Sequence, residues 1–267
     1  MGLALLFIIW LITLVSTYFF AIKRWWMPAA ASAHGPAIDQ QMFYTYVAMA
    51  IVFLAAQLAL GWFVWKYRDR SGAGKVHYSH GSTRLEALWT AATAVLFLGL
   101  AFAGVDTWAE ARFQGAGPDA MKVEVSALQF AWYFRYPGPD GTFARTRPDL
   151  QSAEEGNPVG IDDTDPAAKD DVVVGTLFLP VNREVELTLR AQDVIHSLFI
   201  PAMRYKQDAV PGLLIRTHFT PTQTGNFEMA CAELCGLGHY KMKGMLTVLS
   251  QQDFDKWLAQ RVAEKQE

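Results

Sequence analysis

The sequence predicts three transmembrane α-helices followed by an all-β sandwich that ends in one α-helix. Three charge-free runs predict the membrane helices, at residues 2–22, 43–65 and 87–105. Each run has about the 20 residues that an α-helix needs to cross the hydrocarbon core of a bilayer. The chain after residue 106 is more polar, and its short segments rich in β-branched and aromatic residues predict the sandwich.

Composition excludes several classes of protein. Hydrophobic residues make up 52% of the 267 residues and charged residues only 18%, which is too apolar for a freely soluble cytoplasmic enzyme. A formal net charge of -3 gives no electrostatic basis for nucleic-acid binding. Two cysteines are too few for a disulfide framework.

Tryptophan and basic residues set the predicted topology. Six of the nine tryptophans lie at ends of the charge-free runs, where an aromatic belt is expected, rather than in the core of a large soluble fold. These are Trp25, Trp26, Trp62, Trp65, Trp89 and Trp108. The loop at 66–84 carries five basic residues and one acid, whereas the loop at 23–42 carries two basic residues and one acid. The 66–84 loop is therefore predicted to be cytoplasmic, which places the N-terminus inside and the sandwich outside the cytoplasm.

The first run has a second interpretation, as a signal peptide. Ala31-Ser32-Ala33 resembles a small-residue cleavage site. However, no basic segment precedes the run, and its apolar stretch is longer than that of a typical signal peptide. We therefore expect a retained helix.

Apolar–polar alternation and short β-branched segments predict six strands in the soluble part. They lie at residues 121–130, 172–178, 184–190, 213–219, 226–231 and 244–249. Residues 252–263 predict a closing amphipathic helix, packed on the sandwich or on the membrane. Its apolar face consists of Phe254, Trp257, Leu258 and Val262.

A long acidic loop interrupts the predicted strands. Residues 149–171 contain eight acids and one base, Lys169. One interpretation is a solvated insertion; the other is a docking surface for a basic partner. The run from Asp162 to Pro166 lacks the alternating ligands and the glycine of an EF-hand, so a calcium loop is not predicted.

Both cysteines fall in one stretch, Cys231-Ala-Glu-Leu-Cys235-Gly-Leu-Gly-His239-Tyr-Lys-Met242, and His196 lies upstream. Thiolates, imidazoles and a thioether are soft donors, which select copper, zinc or iron–sulfur. Zinc would use the cysteines and histidines and leave Met242 idle. A mononuclear blue-copper site would use the methionine but needs only one cysteine. A disulfide in an oxidising compartment is the remaining alternative, and it would leave the histidine and methionine at ligand spacing by accident.

A count of donor contacts favours two copper ions. Two four-coordinate coppers need eight contacts, of which two bridging thiolates supply four, two imidazoles two and Met242 one. The main-chain carbonyl of Glu233, between the cysteines, can supply the last. Such a centre has no open position for a substrate, so it is suited to electron transfer.

Three motifs resemble subunit II of the haem-copper cytochrome c oxidases. They are CAELCGLGHYKM at 231–242, DVIHSLFIP at 193–201 and KQDAVPG at 206–212, and the resemblance covers residues 42–263. It implies a membrane hairpin followed by a cupredoxin β-sandwich with a binuclear copper centre, CuA. The CuA ligands that it implies are His196, Cys231, Glu233 (through its carbonyl), Cys235, His239 and Met242. The Glu233 carboxylate would also reach a magnesium site shared with subunit I.

By the same resemblance, the chain is expected to admit electrons to a terminal oxidase. It would accept them from cytochrome c, or from a cytochrome c-bearing complex, and pass them to haem in subunit I, which holds the haems and CuB. There oxygen is reduced to water and protons are translocated. The expected location is the bacterial inner membrane, multi-pass, with a periplasmic CuA domain and with lipid and other oxidase subunits as neighbours. No nucleic-acid partner is expected.

The resemblance also implies an organisation in three parts. Residues 1–42 would form an extra N-terminal transmembrane helix and outer loop, and residues 43–112 a transmembrane hairpin. Residues 113–267 would form the extracytoplasmic cupredoxin CuA domain.

Glu86-Ala-Leu-Trp89-Thr90 resembles the family segment that places a carboxylate at the entrance of a proton channel into subunit I. A lone acid at the edge of an apolar helix is a candidate functional residue. The basic loop before it places Glu86 on the cytoplasmic side, where proton uptake begins. The alternative is an interfacial glutamate that faces water.

The aromatic stretch that starts at Gln129 departs from the family pattern Gln-Trp-Tyr-Trp. Aligned on Gln129, Phe130 stands at the first tryptophan, the surface residue where electrons arrive from cytochrome c in the family, and Trp132 matches the second. Phe130 keeps an apolar surface without the indole. Electron input is therefore expected in this region without assignment to one residue; the alternative is a set of core and edge aromatics of a strand.

Three other functions compete: the copper subunit of a nitric oxide reductase, a metal-free structural subunit of a quinol oxidase, and a free-standing copper carrier. The complete ligand set argues against the quinol oxidase subunit, and three membrane spans with Glu86 argue against the carrier. The sequence contains no C-x-x-C-H haem motif, so a separate electron donor is expected. The other histidines, interpreted as structural or solvated, are His34, His77, His80 and His218.

Overall fold

The computed structural model describes residues 2–23, 26–69, 78 and 80–266. Three long apolar helices occupy the N-terminal part: α1 (Gly2–Ala21), α2 (Gly35–Lys66) and α3 (Thr83–Arg112). Each is long and apolar enough to cross a membrane, so the predicted membrane helices are confirmed. Five residues used for the predicted topology and histidine assignment lie outside the described part: Arg24, Trp25, Arg70, Lys75 and His77.

Both α1 and α3 contact α2. A Cβ atom at Gly61 of α2 would lie 2.5 Å from the indole nitrogen of Trp10, so glycine permits this close approach. On the other side, the Gln41 amide donates a hydrogen bond to the Leu100 carbonyl of α3 at 2.8 Å. Between 0 and 11% of the most apolar window of each helix is buried within the chain. Most of the apolar side chains of these helices are therefore at least partly exposed and available to lipid or to a protein partner.

The C-terminal part is a sandwich of two five-stranded sheets, as predicted. Its strands are β1 (Met121–Leu128), β2 (Ala131–Tyr136), β3 (Val172–Val174), β4 (Leu177–Pro180), β5 (Val185–Ala191), β6 (His196–Ile200), β7 (Tyr205–Ala209), β8 (Ile215–Phe219), β9 (Gly225–Cys231) and β10 (Lys243–Leu249). The strand orders are β3-β2-β1-β5-β8 and β4-β10-β9-β6-β7.

Alternate side chains of both sheets meet in the core. Val123 and Val125 of β1 are fully buried, as are Leu177 and Leu246 of the second sheet. Burial of one such side chain stabilises the fold by about 1.5–3 kcal/mol. The closing helix α4 (Gln251–Gln266) places Phe254 in the same core. Of its two predicted positions, α4 therefore occupies the one on the sandwich.

The predicted strands differ from the observed ones in identifiable ways. The segment 172–178 is two strands, because the chain passes from one sheet to the other at Gly175. The first predicted strand ends at Leu128 because Gln129 and Phe130 form the turn into β2. Strands β2, β6 and β7 were not predicted. In β6, four of five residues are buried, so the sequence shows no alternation.

Residues 137–171, here called the acidic insertion, are folded rather than a bare loop. Short 3₁₀ turns and a small apolar core, which includes Val159 and Ile161, give it structure. The carboxylate of Asp165 accepts hydrogen bonds from the amides of Arg145 and Ala167 at 3.0 and 3.2 Å. Many of its acids therefore serve the fold of the insertion itself.

Residues 28–38, here called the strap, belong to the same compact unit as the sandwich. Ala31 and Ser32 of the strap are 1% and 2% exposed. The Ala31 amide donates to the Ala202 carbonyl at 2.7 Å, and the Ser32 hydroxyl donates to the Met203 carbonyl at 2.7 Å. Because it packs on the sandwich, the connection between α1 and α2 lies on the same side of the membrane as the sandwich.

Candidate metal centre

Neighbouring strands of the second sheet bring the candidate ligands together. His196 is the first residue of β6, and Cys231 is the last residue of β9. The two strands are antiparallel partners, with Leu198 opposite Cys231. The loop between β9 and β10 carries the other donors. The two ends of this loop are held together, because the Cys231 amide donates a hydrogen bond to the Met242 carbonyl at 2.9 Å.

The two thiols lie at the middle of the donor set, with 3.9 Å between their sulfur atoms. The Cys231 sulfur lies 4.0 Å from His196 Nδ1 and 3.2 Å from the Glu233 carbonyl oxygen. Donors that bind one transition metal at about 2.0–2.3 Å lie about 3.3–3.8 Å apart in tetrahedral geometry. These separations therefore fit a metal site with little rearrangement.

The Cys235 sulfur has its own pair of neighbours. It lies 3.6 Å from His239 Nδ1 and 3.8 Å from the Met242 sulfur. All six groups of the predicted ligand set thus meet at one place, each thiol with two further donors. The histidine and cysteine atoms of His196, Cys231 and Cys235 lie within 4.8 Å of one another, a grouping that could hold a metal ion.

The site is largely closed to solvent. His196 is fully buried, and Cys235 and Met242 are 3% and 1% exposed. Burial, followed by the neighbouring Cys231 thiol, raises the pKa of Cys235 to about 11. Without metal this thiol is protonated at neutral pH, so metal binding must displace its proton.

Asp193 orients His196 and was not among the predicted site residues. Its carboxylate lies 2.8 Å from His196 Nε2, so that nitrogen donates and Nδ1 is left towards Cys231. A carboxylate behind a ligating imidazole is a common device in metal sites, because it fixes the ring and its tautomer. The spacing of three residues between the two side chains within the 193–201 motif was the available signal.

The two aromatic candidates occupy different places. Trp132 is 4% exposed, and its ring centroid lies 6.1 Å from that of His196. Phe130 is 39% exposed. A Cβ atom at Gly238 of the β9–β10 loop, residues 232–242 and here called the metal loop, would lie 2.3 Å from its ring. Trp132 is therefore a core residue beside the site, whereas Phe130 lies on the metal loop and reaches solvent.

Glu86 belongs to the membrane unit, not to the unit that contains the metal donors. It is exposed and lies in the first turn of α3, where the helix dipole also favours a carboxylate. His218 contacts Glu184 at 2.8 Å, and the His80 ring packs on Tyr78. These contacts agree with structural roles for both histidines.

A β-sandwich that follows three membrane-length apolar helices and holds a buried cluster of thiol, imidazole and thioether groups is typical of membrane-anchored proteins that bind a soft metal ion. A family model described as "Cytochrome C oxidase subunit II, periplasmic domain" matches residues 123–249. The alternative cytochrome c oxidase subunit 2 of Bradyrhizobium diazoefficiens is 32% identical over 260 residues, covering 97% of this chain and 92% of that protein. The chain belongs to the cytochrome c oxidase subunit II family, as the motifs predict.

Two further proteins are similar to this chain. The cytochrome c oxidase subunit 2 of Thermostichus vulcanus is 28% identical over 290 residues, covering 89% of this chain and 79% of that protein. Among solved structures, the periplasmic domain of subunit II of cytochrome oxidase from Bradyrhizobium japonicum is 25% identical, with a TM-score of 0.41; the match covers 55% of this chain and 97% of that one. The chain is thus a membrane-anchored oxidase subunit with an extracytoplasmic domain, and it associates with other oxidase subunits.

Proposed function

We propose that this chain admits electrons to a terminal haem-copper oxidase. In this proposal its six donor groups hold a binuclear CuA centre, which accepts electrons from cytochrome c and passes them to haem in subunit I for the reduction of oxygen to water, coupled to proton translocation. The observation that carries the proposal is the pair of thiols 3.9 Å apart, each with two further donors of its own.

The donor distribution supports two metal ions rather than one. The His196 nitrogen and the Glu233 carbonyl lie beside Cys231, whereas His239 and the Met242 sulfur lie beside Cys235. A single zinc ion takes four ligands and would leave two of these six groups unused. Two ions that share both thiolates use all of them.

The protein contributes burial and fixed geometry to electron transfer. His196, Cys235 and Met242 exclude water because they are almost fully buried. The donors lie on or between hydrogen-bonded strands of one sheet, which limits their movement. A rigid, dry ligand set reduces the rearrangement that accompanies each change of charge.

Glu233 supports a second, proposed metal site. Its carbonyl lies 3.2 Å from the Cys231 sulfur, while its side chain is exposed. One residue can thus offer its carbonyl to copper and its carboxylate to a magnesium ion shared with subunit I.

Exposed apolar side chains support docking against subunit I. Three belong to the metal loop, Leu234, Leu237 and Tyr240, and two to the β7–β8 loop, Leu213 and Leu214. Apolar patches of this kind mark protein–protein contacts. We further propose that Glu86 lies at the entrance of the proton channel and that electrons enter in the region of Phe130 and Trp132. The complex would lie in a bacterial inner membrane with the metal centre on the periplasmic side.

Metal analysis of the full chain, purified in detergent and loaded with copper, tests the proposal. We expect two copper ions per chain and an electron paramagnetic resonance (EPR) spectrum in which one unpaired electron couples to two copper nuclei. A single copper ion, or zinc, at full occupancy would contradict the binuclear centre.

A further inference from the structure

We propose that Gln129 is a positioning residue that ties the two ligand-bearing segments to each other. One segment is the β5–β6 loop, which leads into His196, and the other is the metal loop, residues 232–242. The inference rests on the proposed copper centre, but part of its test needs no copper.

The main chain of Gln129 holds the histidine side of the centre. Its amide donates to one carboxylate oxygen of Asp193 at 2.6 Å. The other oxygen of that carboxylate lies 2.8 Å from His196 Nε2 and accepts from the Val194 amide at 2.7 Å. Asp193 is therefore fixed from two sides, and its orientation fixes the imidazole ring.

The side chain of Gln129 holds the thiol side. Its amide nitrogen donates to the Cys235 carbonyl at 2.5 Å. A Cβ atom at Gly236 would lie only 2.8 Å from this nitrogen, and the backbone there has a φ of +128°. Glycine is required at that position both by space and by conformation. The main chain of the metal loop is thus in close contact with the Gln129 side chain at Gly236, directly after Cys235.

The position of Gln129 in the fold explains why it can do both. It lies in the tight turn between β1 and β2, which pair with Leu128 opposite Ala131. These strands belong to the first sheet, whereas His196 and Cys231 belong to the second. A rigid hairpin of one sheet therefore holds the ligand segments of the other, beyond what the pairing of β6 with β9 provides.

Two substitutions of Gln129 test this in the full chain. Gln129→Glu keeps the shape and replaces the donor by a carboxylate that repels the Cys235 carbonyl; Gln129→Leu removes the hydrogen bond without adding charge. Loss of an outer-shell partner costs about 10–100-fold in metal affinity. We expect copper retention against a Cu(I) chelator to fall by that factor in both variants, with an altered copper hyperfine pattern in the EPR spectrum.

Gln223→Glu is the matched control. Gln223 also donates its side-chain amide to a main-chain carbonyl, that of Ala30, at 3.2 Å. It lies in the β8–β9 connection, and this partner belongs to the strap and not to either ligand segment. Its variant should bind copper as the wild type does. Retention within twofold of wild type together with an unchanged EPR spectrum in both Gln129 variants would overturn the inference.

A metal-free readout separates this inference from the proposed function. In the metal-free chain, an added two-electron oxidant such as diamide takes two electrons and two protons from Cys231 and Cys235 to leave a disulfide. Gln129→Leu should speed this oxidation severalfold, because the second thiol is less restrained. If the wild type does not hold two coppers, the proposed function fails while this readout still decides the role of Gln129. Equal oxidation rates in Gln129→Leu and wild type would then refute that role.

Discussion

Among the six proposed copper ligands, Met242 is the one expected to bind most weakly. A thioether carries no charge, and as an axial ligand to copper it tunes the reduction potential more than it holds the metal. Met242→Leu should therefore keep two coppers per chain and shift the potential by on the order of 60 mV, a tenfold change for a one-electron couple. Copper analysis and a spectroscopic redox titration measure this. Cys235→Ser is the contrasting variant and should lose the centre.

Phe130 is the candidate for contact with the electron donor, since it packs on the metal loop and is 39% exposed. Phe130→Ala removes an apolar contact at the proposed interface. Truncation of a hot-spot residue costs about 2 kcal/mol or more, whereas most interface residues cost less than about 1 kcal/mol. With Phe130 between these values, we expect reduction by cytochrome c to slow by roughly tenfold. Stopped-flow mixing measures the rate. Reduction by dithionite is the control and should not change; if it slows equally, the substitution has damaged the centre itself.

At the scale of elements, the acidic insertion is held by its own carboxylates. Asp165 illustrates this: hydrogen bonds from the Arg145 amide, and then from the Ala167 amide, hold the pKa of its carboxyl below the ordinary 3.8. A group whose pKa is lower in the folded state contributes stability that is present above its unfolded pKa and lost as the pH falls through the folded pKa. The insertion should therefore loosen in acid, below about pH 4.

Hydrogen exchange across a pH series checks this expectation. After correction for the intrinsic rate, amides of the insertion should lose protection below about pH 4, while amides of the buried β1 strand keep theirs. Asp165→Asn keeps an acceptor without the charge and should weaken the pH dependence. Parallel loss of protection in β1 would indicate global unfolding instead of local loosening.

At the scale of the whole molecule, the proposed function of Glu86 depends on a proton path that leaves this chain. Glu86→Gln keeps size and hydrogen bonding but cannot ionise. Reduction of the copper centre by cytochrome c should be unchanged, whereas oxygen consumption by the assembled oxidase should fall by at least about tenfold, since positioned proton-transfer groups contribute about 10²–10⁴-fold. Stopped-flow measurement of copper reduction, together with steady-state measurement of oxygen consumption, separates an effect on electron entry from an effect on proton delivery. Wild-type turnover in the variant would leave Glu86 as an interfacial residue.

Docking of a basic cytochrome on the acidic insertion would depend on those carboxylates that are exposed to solvent and not paired within the insertion. Asp149 pairs with Arg147 within the insertion, but Glu154, Glu155 and Asp163 are exposed. If these acids steer the donor, the rate of oxidation of added cytochrome c should fall by about tenfold or more between low and high salt. Turnover of the detergent-solubilised oxidase across a salt series measures this. A flat profile would favour a solvated insertion or a permanently bound donor.

The sequence alone predicted the broad plan and named the candidate donor residues that the fold brings together. Membrane helices can be predicted from sequence because a run of about 20 apolar residues is enough to define each one, independent of its neighbours in the fold. The soft donors from Cys231 to Met242 are readable because they lie in one stretch with characteristic spacing. Strands that alternate, such as β5, are readable from their period of two. Each of these signals is local.

Tertiary structure decided what depends on residues far apart in the chain. The hydrogen bond from Gln129 to the Cys235 carbonyl joins positions 106 residues apart. The hydrogen bond from Ser32 of the strap to the Met203 carbonyl joins positions 171 residues apart. Strand β6 is buried too evenly to show alternation. From the sequence, the acids of the insertion predict a charged surface. The structure shows that some of them are paired within the insertion, as Asp165 is with the side chain and the amide of Arg145. The physical reason is that a side chain's partner in a folded chain is chosen by packing, which local sequence does not encode.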